Sequence, residues 1–115
     1  MPDPDDVELV RKAILSRTTG DCEWSESAAR RMQSDPSLSE WTPESILALL
    51  RDYVAQGGSI DRRTETRSEY PQDHWYRVVV PVKQFRHGLF VEIILVDEDP
   101  EAPAVQIVSV HEQRK

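Results

Sequence analysis

Residues 88–96 read GLFVEIILV, and the frame around this run decides the fold. It is apolar on both sides of Glu92 and rich in β-branched residues, the pattern of a buried strand. Two similar runs flank it. Residues 75–82, WYRVVVPV, carry apolar side chains on both faces, and residues 104–112, AVQIVSVHE, alternate. The connectors KQFRHG (83–88) and DEDPEAP (97–103) carry turn chemistry and are short enough for hairpins. Consecutive strands joined this way pair antiparallel. Residues 59–69, SIDRRTETRSE, are polar but rich in Thr and Arg, and read as an exposed strand or arm ahead of the three.

Before Gly58 the period is helical. Val7, Val10 and Ile14 recur at helical spacing, with Leu9 and Ala13 beside them, behind Asp5 or Asp6 as a cap. Acidic residues there also suit the positive end of the helix dipole. SRTTGD (16–21) breaks this helix around Gly20. A second helix starts at Ser25 or Ser27, buries Ala28, Ala29 and Met32, and ends at Pro36. The third has the fullest signature: Thr42 at the cap, Pro43 at the first helical position, and Glu44 in the first turn. Ile46, Leu49, Leu50, Tyr53 and Val54 then form one stripe, and Gly57 and Gly58 end it. Helices first and strands after predict an α+β domain. Its N-terminal helices pack on one face of an antiparallel β-meander sheet of three to four strands.

The length, 115 residues, suits a single domain over 1–115, with 1–5 expected to fray. A hydrophobic share of 38% leaves a thin core. The net charge of -7 is the wrong sign for a surface devoted to nucleic acid, where Lys and Arg must displace counterions. A local basic patch is the remaining route. Cys22 is the single cysteine, which excludes an intramolecular disulfide and a cysteine-rich zinc site. MPDPDDVELV lacks the charged-then-apolar pattern of a signal peptide, and no apolar run is long enough to span a membrane. A cytoplasmic protein with no membrane partner and no cofactor is expected.

No phosphate-binding glycine loop, HExxH, paired-cysteine site or nucleophile elbow is present. Asp97, Glu98, Asp99 and Glu101 cluster, but they lack the spacing and central glycine of a calcium loop and read as a solvated hairpin tip. Strand alternation would put Arg63 and Arg67 on one face, where they could clamp a phosphate. Glu65 shares that face and could neutralise them, so charge pairing on an exposed strand is the competing reading. Of the three histidines, His87 falls in a turn and His74 at a strand start, while His111 ends the last strand. Histidine is the usual proton-transfer group near neutral pH. Trp24 and Trp41 flank the second helix, as core-packing residues would. Trp75 and Tyr76 are adjacent on a strand, so one of them must point away from the core.

Three stretches carry a family likeness: WSESAARRM (24–32), HWYRVVVPV (74–82) followed by HGLFVEIILV (87–96), and VQIVSVHEQ (105–113). Together they resemble the RelE/barnase-like toxin ribonucleases of bacterial toxin–antitoxin systems, nearest their MqsR-type members and the related small DUF4258-like domains. The likeness implies metal-independent RNA cleavage, with RNA as substrate and an antitoxin protein as partner. In that reaction the 2′-hydroxyl attacks the adjacent phosphate, basic groups stabilise the developing charge, and a general acid or base moves protons. By resemblance His111 takes the place of a basic residue in the last strand, Arg63 that of a basic residue in the early strand, and Tyr76 that of a polar group after the tryptophan. The chain departs from the family at Phe90, where an active toxin has a tyrosine hydroxyl, and at Ser25 and Ser27, where related domains have a histidine. Its acidity departs too. Two functions are therefore in play: an endoribonuclease using His111, Arg63 and Tyr76, or a non-catalytic interaction domain acting through a sheet edge or as a homodimer.

Overall fold

The computed structural model describes residues 6–16 and 21–113. Helix α1 spans Asp6–Leu15, a short strand β1 Cys22–Trp24, α2 Glu26–Ser34, and α3 Pro43–Ala55; then follow β2 Asp61–Thr64, β3 His74–Val82, β4 Phe85–Asp97 and β5 Ala104–Glu112. A single 3-10 turn, Pro36–Leu38, links α2 to α3. Asp6 is already helical, so the cap expected at Asp5, the fraying of residues 1–5 and the break at Gly20 lie outside the described residues.

Local chemistry sets the helix starts. The Ser25 hydroxyl accepts from the Ala28 amide at 3.1 Å and caps α2. Thr42 and Ser45 cap α3 reciprocally: the Ser45 amide donates to Thr42 Oγ1 at 3.1 Å and the Thr42 amide donates to Ser45 Oγ at 2.8 Å. Two orphan amides of the first turn are thereby satisfied.

The architecture is α+β, as expected, but the sheet is larger and mixed. It has five strands in the order β1-β5-β4-β3-β2. Strands β2 to β5 form the antiparallel meander, and β1 adds to the far edge parallel to β5, with Cys22 beside Val105 and Trp24 beside Ile107. Three residues are too few to show a strand period, and the partner lies some eighty positions on, so nothing local marks β1. The connector 83–88 is also corrected. Strand β4 already begins at Phe85, which pairs with Val82, so the turn is tight. Gly88 has φ +92°, and a Cβ there would lie 2.9 Å from both Val79 Cγ1 and the Val80 carbonyl oxygen on β3.

Helices α1 and α2 pack on β5, and α3 packs on β3. Val10 and Ile14, Met32, and Ile46, Leu50 and Val54 are buried against Tyr76, Val78, Leu89, Val91, Ile93, Val105 and Ile107. Each such side chain contributes about 1.5–3 kcal/mol by leaving water. Trp24 and Trp41 close the margin of this core: Trp24 Nε1 donates to the Pro43 carbonyl at 3.0 Å, and the Trp41 ring sits 5.5 Å from that of Phe85.

One irregularity governs what the other face presents. Glu92 pairs with Ser109 but Ile93 pairs with Ile107, so Val108 is an extra residue, a β-bulge. Its carbonyl accepts from Arg31 Nη2 of α2 at 2.8 Å. Ile107 and Val110 therefore both face the helices, and Ser109 and His111 face away.

Candidate functional site

On β3, buried Tyr76, Val78 and Val80 alternate with half-buried Trp75, Arg77 and Val79. The second set lies on the sheet face that the helices leave uncovered, where cross-strand pairing aligns it with Arg63, Phe90, Glu92, Ser109 and His111. The segment 65–73, which joins β2 to β3, folds over part of this face. Its neck is closed by the Glu65 amide donating to the Asp73 carbonyl at 2.9 Å.

Arg67, near the middle of that segment, reaches down to the sheet. Its Nε and Nη2 donate to the two oxygens of Glu65 at 2.8 and 3.0 Å, and Nη2 also donates to Glu92 Oε2 at 2.5 Å. The Glu65 side chain is 2% exposed and that of Glu92 10%. These hydrogen bonds, Glu65 first and Glu92 second, push the Arg67 guanidinium above its ordinary pKa, so it stays charged. Its Cζ lies 4.5 Å from the Tyr70 ring centroid and 5.9 Å from that of Trp75. The row continues across the face: Trp75 lies 6.1 Å from Phe90, and Phe90 stacks on His111 at 4.4 Å with an interplanar angle of 13°. His111 Nδ1 is 2.9 Å from the Glu112 carbonyl, which only accepts, so Nδ1 carries the proton in that contact.

The residues singled out from sequence are not brought together. His111 and Arg63 share the open face, but Arg63 stands beside Trp75 on the edge strand, and His111 stands opposite Phe90 on β5. Three strand spacings of about 4.8 Å and four residue steps of about 3.3 Å separate their Cα atoms by roughly 20 Å. The Glu92 carboxylate lies between them. Tyr76 is on the opposite face, 2% exposed, in the core. Burial first, and then the Asp6 carboxylate, push its hydroxyl up to about 12. Between the adjacent pair Trp75 and Tyr76, the structure thus assigns Trp75 to the outward position. Arg67 lies beyond the end of β2 and pairs with Glu65, which realises the charge-pairing reading of DRRTETR. Arg77 pairs with Asp61 at 2.8 Å.

The other candidates resolve into local structure. Asp97 Oδ1 accepts from the Asp99 amide at 3.0 Å, and Asp99 Oδ1 from the Glu101 amide at 3.0 Å, so two of the clustered carboxylates shape the 97–103 loop. Among the described residues no group of three or more His, Cys, Asp or Glu side chains is placed to hold a metal ion. His87 is exposed where β4 begins. His74 borders a cavity of about 130 Å³ with Tyr76 and Gln72, whose Oε1 is buried without a partner. Burial pushes the Cys22 thiol up to about 11, which leaves it protonated and unreactive at neutral pH. No described helix is long and apolar enough to cross a membrane.

Sequence reading missed Tyr70, Glu92 and the partnership of Arg67 with both. The available signal was Glu92 itself, a lone carboxylate in an apolar strand, which demands a cation. Comparison with protein-family models, with curated proteins and with solved structures finds no match for this chain.

Proposed function

We propose that the chain is a non-catalytic interaction domain whose working surface is the open sheet face, and that its partner is a protein presenting basic residues. The observation that carries this reading is the row Tyr70–Arg67–Trp75–Phe90–His111 on a face that no described helix covers. Half-exposed aromatics around a partly exposed arginine held by two buried carboxylates have the composition of an interface core. The charge of -7 favours a cationic partner by complementarity. Arg67 and Arg77 are each engaged by carboxylates, which leaves little local positive charge for phosphate.

Edge pairing and self-association gain less support. Strand β2 is four residues long and exposed throughout. A symmetric antiparallel pairing of Asp61–Thr64 with a second copy would set Arg62 opposite Arg63, and like charges directly opposite are destabilising. Endoribonuclease activity through His111, Arg63 and Tyr76, with an antitoxin as partner, is the rival proposal; it has to act across the separation described above.

Two measurements on purified protein decide between them. Labelled mixed-sequence RNA in EDTA is expected to stay intact with the parent. Proteins retained by the parent are expected to be lost by Phe90→Glu and kept by Glu44→Lys, on the exposed surface of α3. RNA cleavage by the parent that a folded His111→Ala lacks, or identical retention by Phe90→Glu, overturns the proposal.

A further inference from the structure

We infer that Glu65 and Glu92, with the ring faces of Tyr70 and Trp75, form a guanidinium clamp that Arg67 occupies as a resident pseudo-ligand, and that an arginine on the partner's basic segment takes its place. The inference rests on the interaction-domain reading and names the chemistry that would drive it.

The first support is stoichiometry. Two carboxylates, 2% and 10% exposed, face one guanidinium, so the cluster carries net negative charge away from water. Desolvating a carboxylate is costly, and an anchor for the 65–73 segment needs only one. The second is shape. Glu65 takes the planar fork of Arg67 through Nε and Nη2, Glu92 takes Nη2 from below, and the rings of Tyr70 and Trp75 lie within cation–π range. An ammonium group cannot reproduce the bidentate contact. The third is access. Glu92 and Trp75 are held in the ladder of β4 and β3, whereas Arg67 sits outside it on the connecting segment. Its side chain is 36% exposed, so solvent reaches the clamp where a second guanidinium would enter.

Displacement means the site is closed to a partner until Arg67 withdraws, and apparent affinity falls by the fraction of molecules in which it has done so. Removing Arg67 abolishes that competition.

The test uses the whole chain and defined probes. Millimolar N-ethylguanidinium is expected to raise the melting temperature of Arg67→Ala by several degrees and leave the parent unchanged. Ethylammonium at the same concentration is expected to have no effect, and Arg67→Ala/Glu92→Gln to lose the response. A capped pentapeptide with one central arginine between glycines, followed by tryptophan fluorescence, is expected to bind Arg67→Ala about tenfold or more tightly than the parent. Its citrulline counterpart is expected not to bind. Arg67→Lys keeps the charge without the fork; if Arg67→Ala does not fold, the peptide titration on Arg67→Lys decides. A folded Arg67 variant that ignores guanidinium, responds equally to ammonium, or responds without Glu92 overturns the clamp. If that happens while Phe90→Glu still loses its partners, the interaction-domain reading stands alone; partners indifferent to Phe90→Glu overturn that reading itself.

Discussion

Alkaline unfolding is the sharpest test of where Tyr76 sits. Its hydroxyl is pushed from 10.0 to about 12, chiefly by burial among the helices. In the unfolded chain it ionises near its ordinary value, so the folded state holds its proton more tightly. The stability this represents is complete below about pH 10 and is lost as pH rises through about 12. Two pKa units correspond to about 2–3 kcal/mol at the alkaline limit, a large part of a small domain's total. Urea unfolding of parent and Tyr76→Phe, followed by tryptophan fluorescence from pH 8 to pH 12 in a Cys22→Ala background, isolates the contribution. The cysteine replacement is needed because Cys22 titrates in the same direction, toward about 11. The parent is expected to lose about 2–3 kcal/mol more than Tyr76→Phe across that range, whereas at pH 7 the two should differ by only about 1 kcal/mol, the worth of the hydrogen bond between the Tyr76 hydroxyl and the Asp6 carboxylate. Parallel pH profiles would refute the burial of this hydroxyl, and with it the separation of Tyr76 from His111.

Further expectations concern single side chains. Gly57 and Gly88 share nearly the same positive φ, 93° and 92°, but only Gly88 is crowded, so thermal denaturation should find Gly57→Ala costing about 1 kcal/mol and Gly88→Ala distinctly more. Thr42→Ala removes one half of the α3 cap and is expected to lower stability by about 1 kcal/mol in chemical denaturation. The Cys22 thiol should react with a colorimetric disulfide reagent at pH 8 only in denaturant, and rapid reaction of the native protein would contradict its burial.

The helices and the three long strands were legible because each announces itself within a dozen residues. Ser25 and Thr42 stand where caps are needed, Gly57 follows α3, and the apolar runs have the composition of strands. Strand β1 was illegible for the opposite reason: Cys22–Trp24 is a strand only because Val105–Ile107 lies beside it. The site was partly legible. The sequence required either Trp75 or Tyr76 to face outward, and it put Glu65 within reach of Arg67. It gave no means of knowing that the 65–73 segment turns back over the sheet, because that depends on Glu92, a position on another strand. His111 and Arg63 were grouped by chemistry alone, and residue type says nothing about how many strands lie between two side chains.

The bulge at Val108 has a consequence of its own. A strand is read in a two-letter frame, inward and outward, and one inserted residue shifts that frame for everything downstream. Before Val108 the odd-numbered positions of β5, Val105 and Ile107, face the core; after it the even-numbered Val110 does. Were Val108 to take an ordinary place in the ladder, His111 would turn toward the helices and Val110 out to solvent; deleting Val108 would instead leave Ser109, Val110 and His111 on the faces they hold now. The terminal part of the open face is thus encoded by the length of the strand as much as by its residues, and sequences aligned across this point without a gap would be compared face against wrong face.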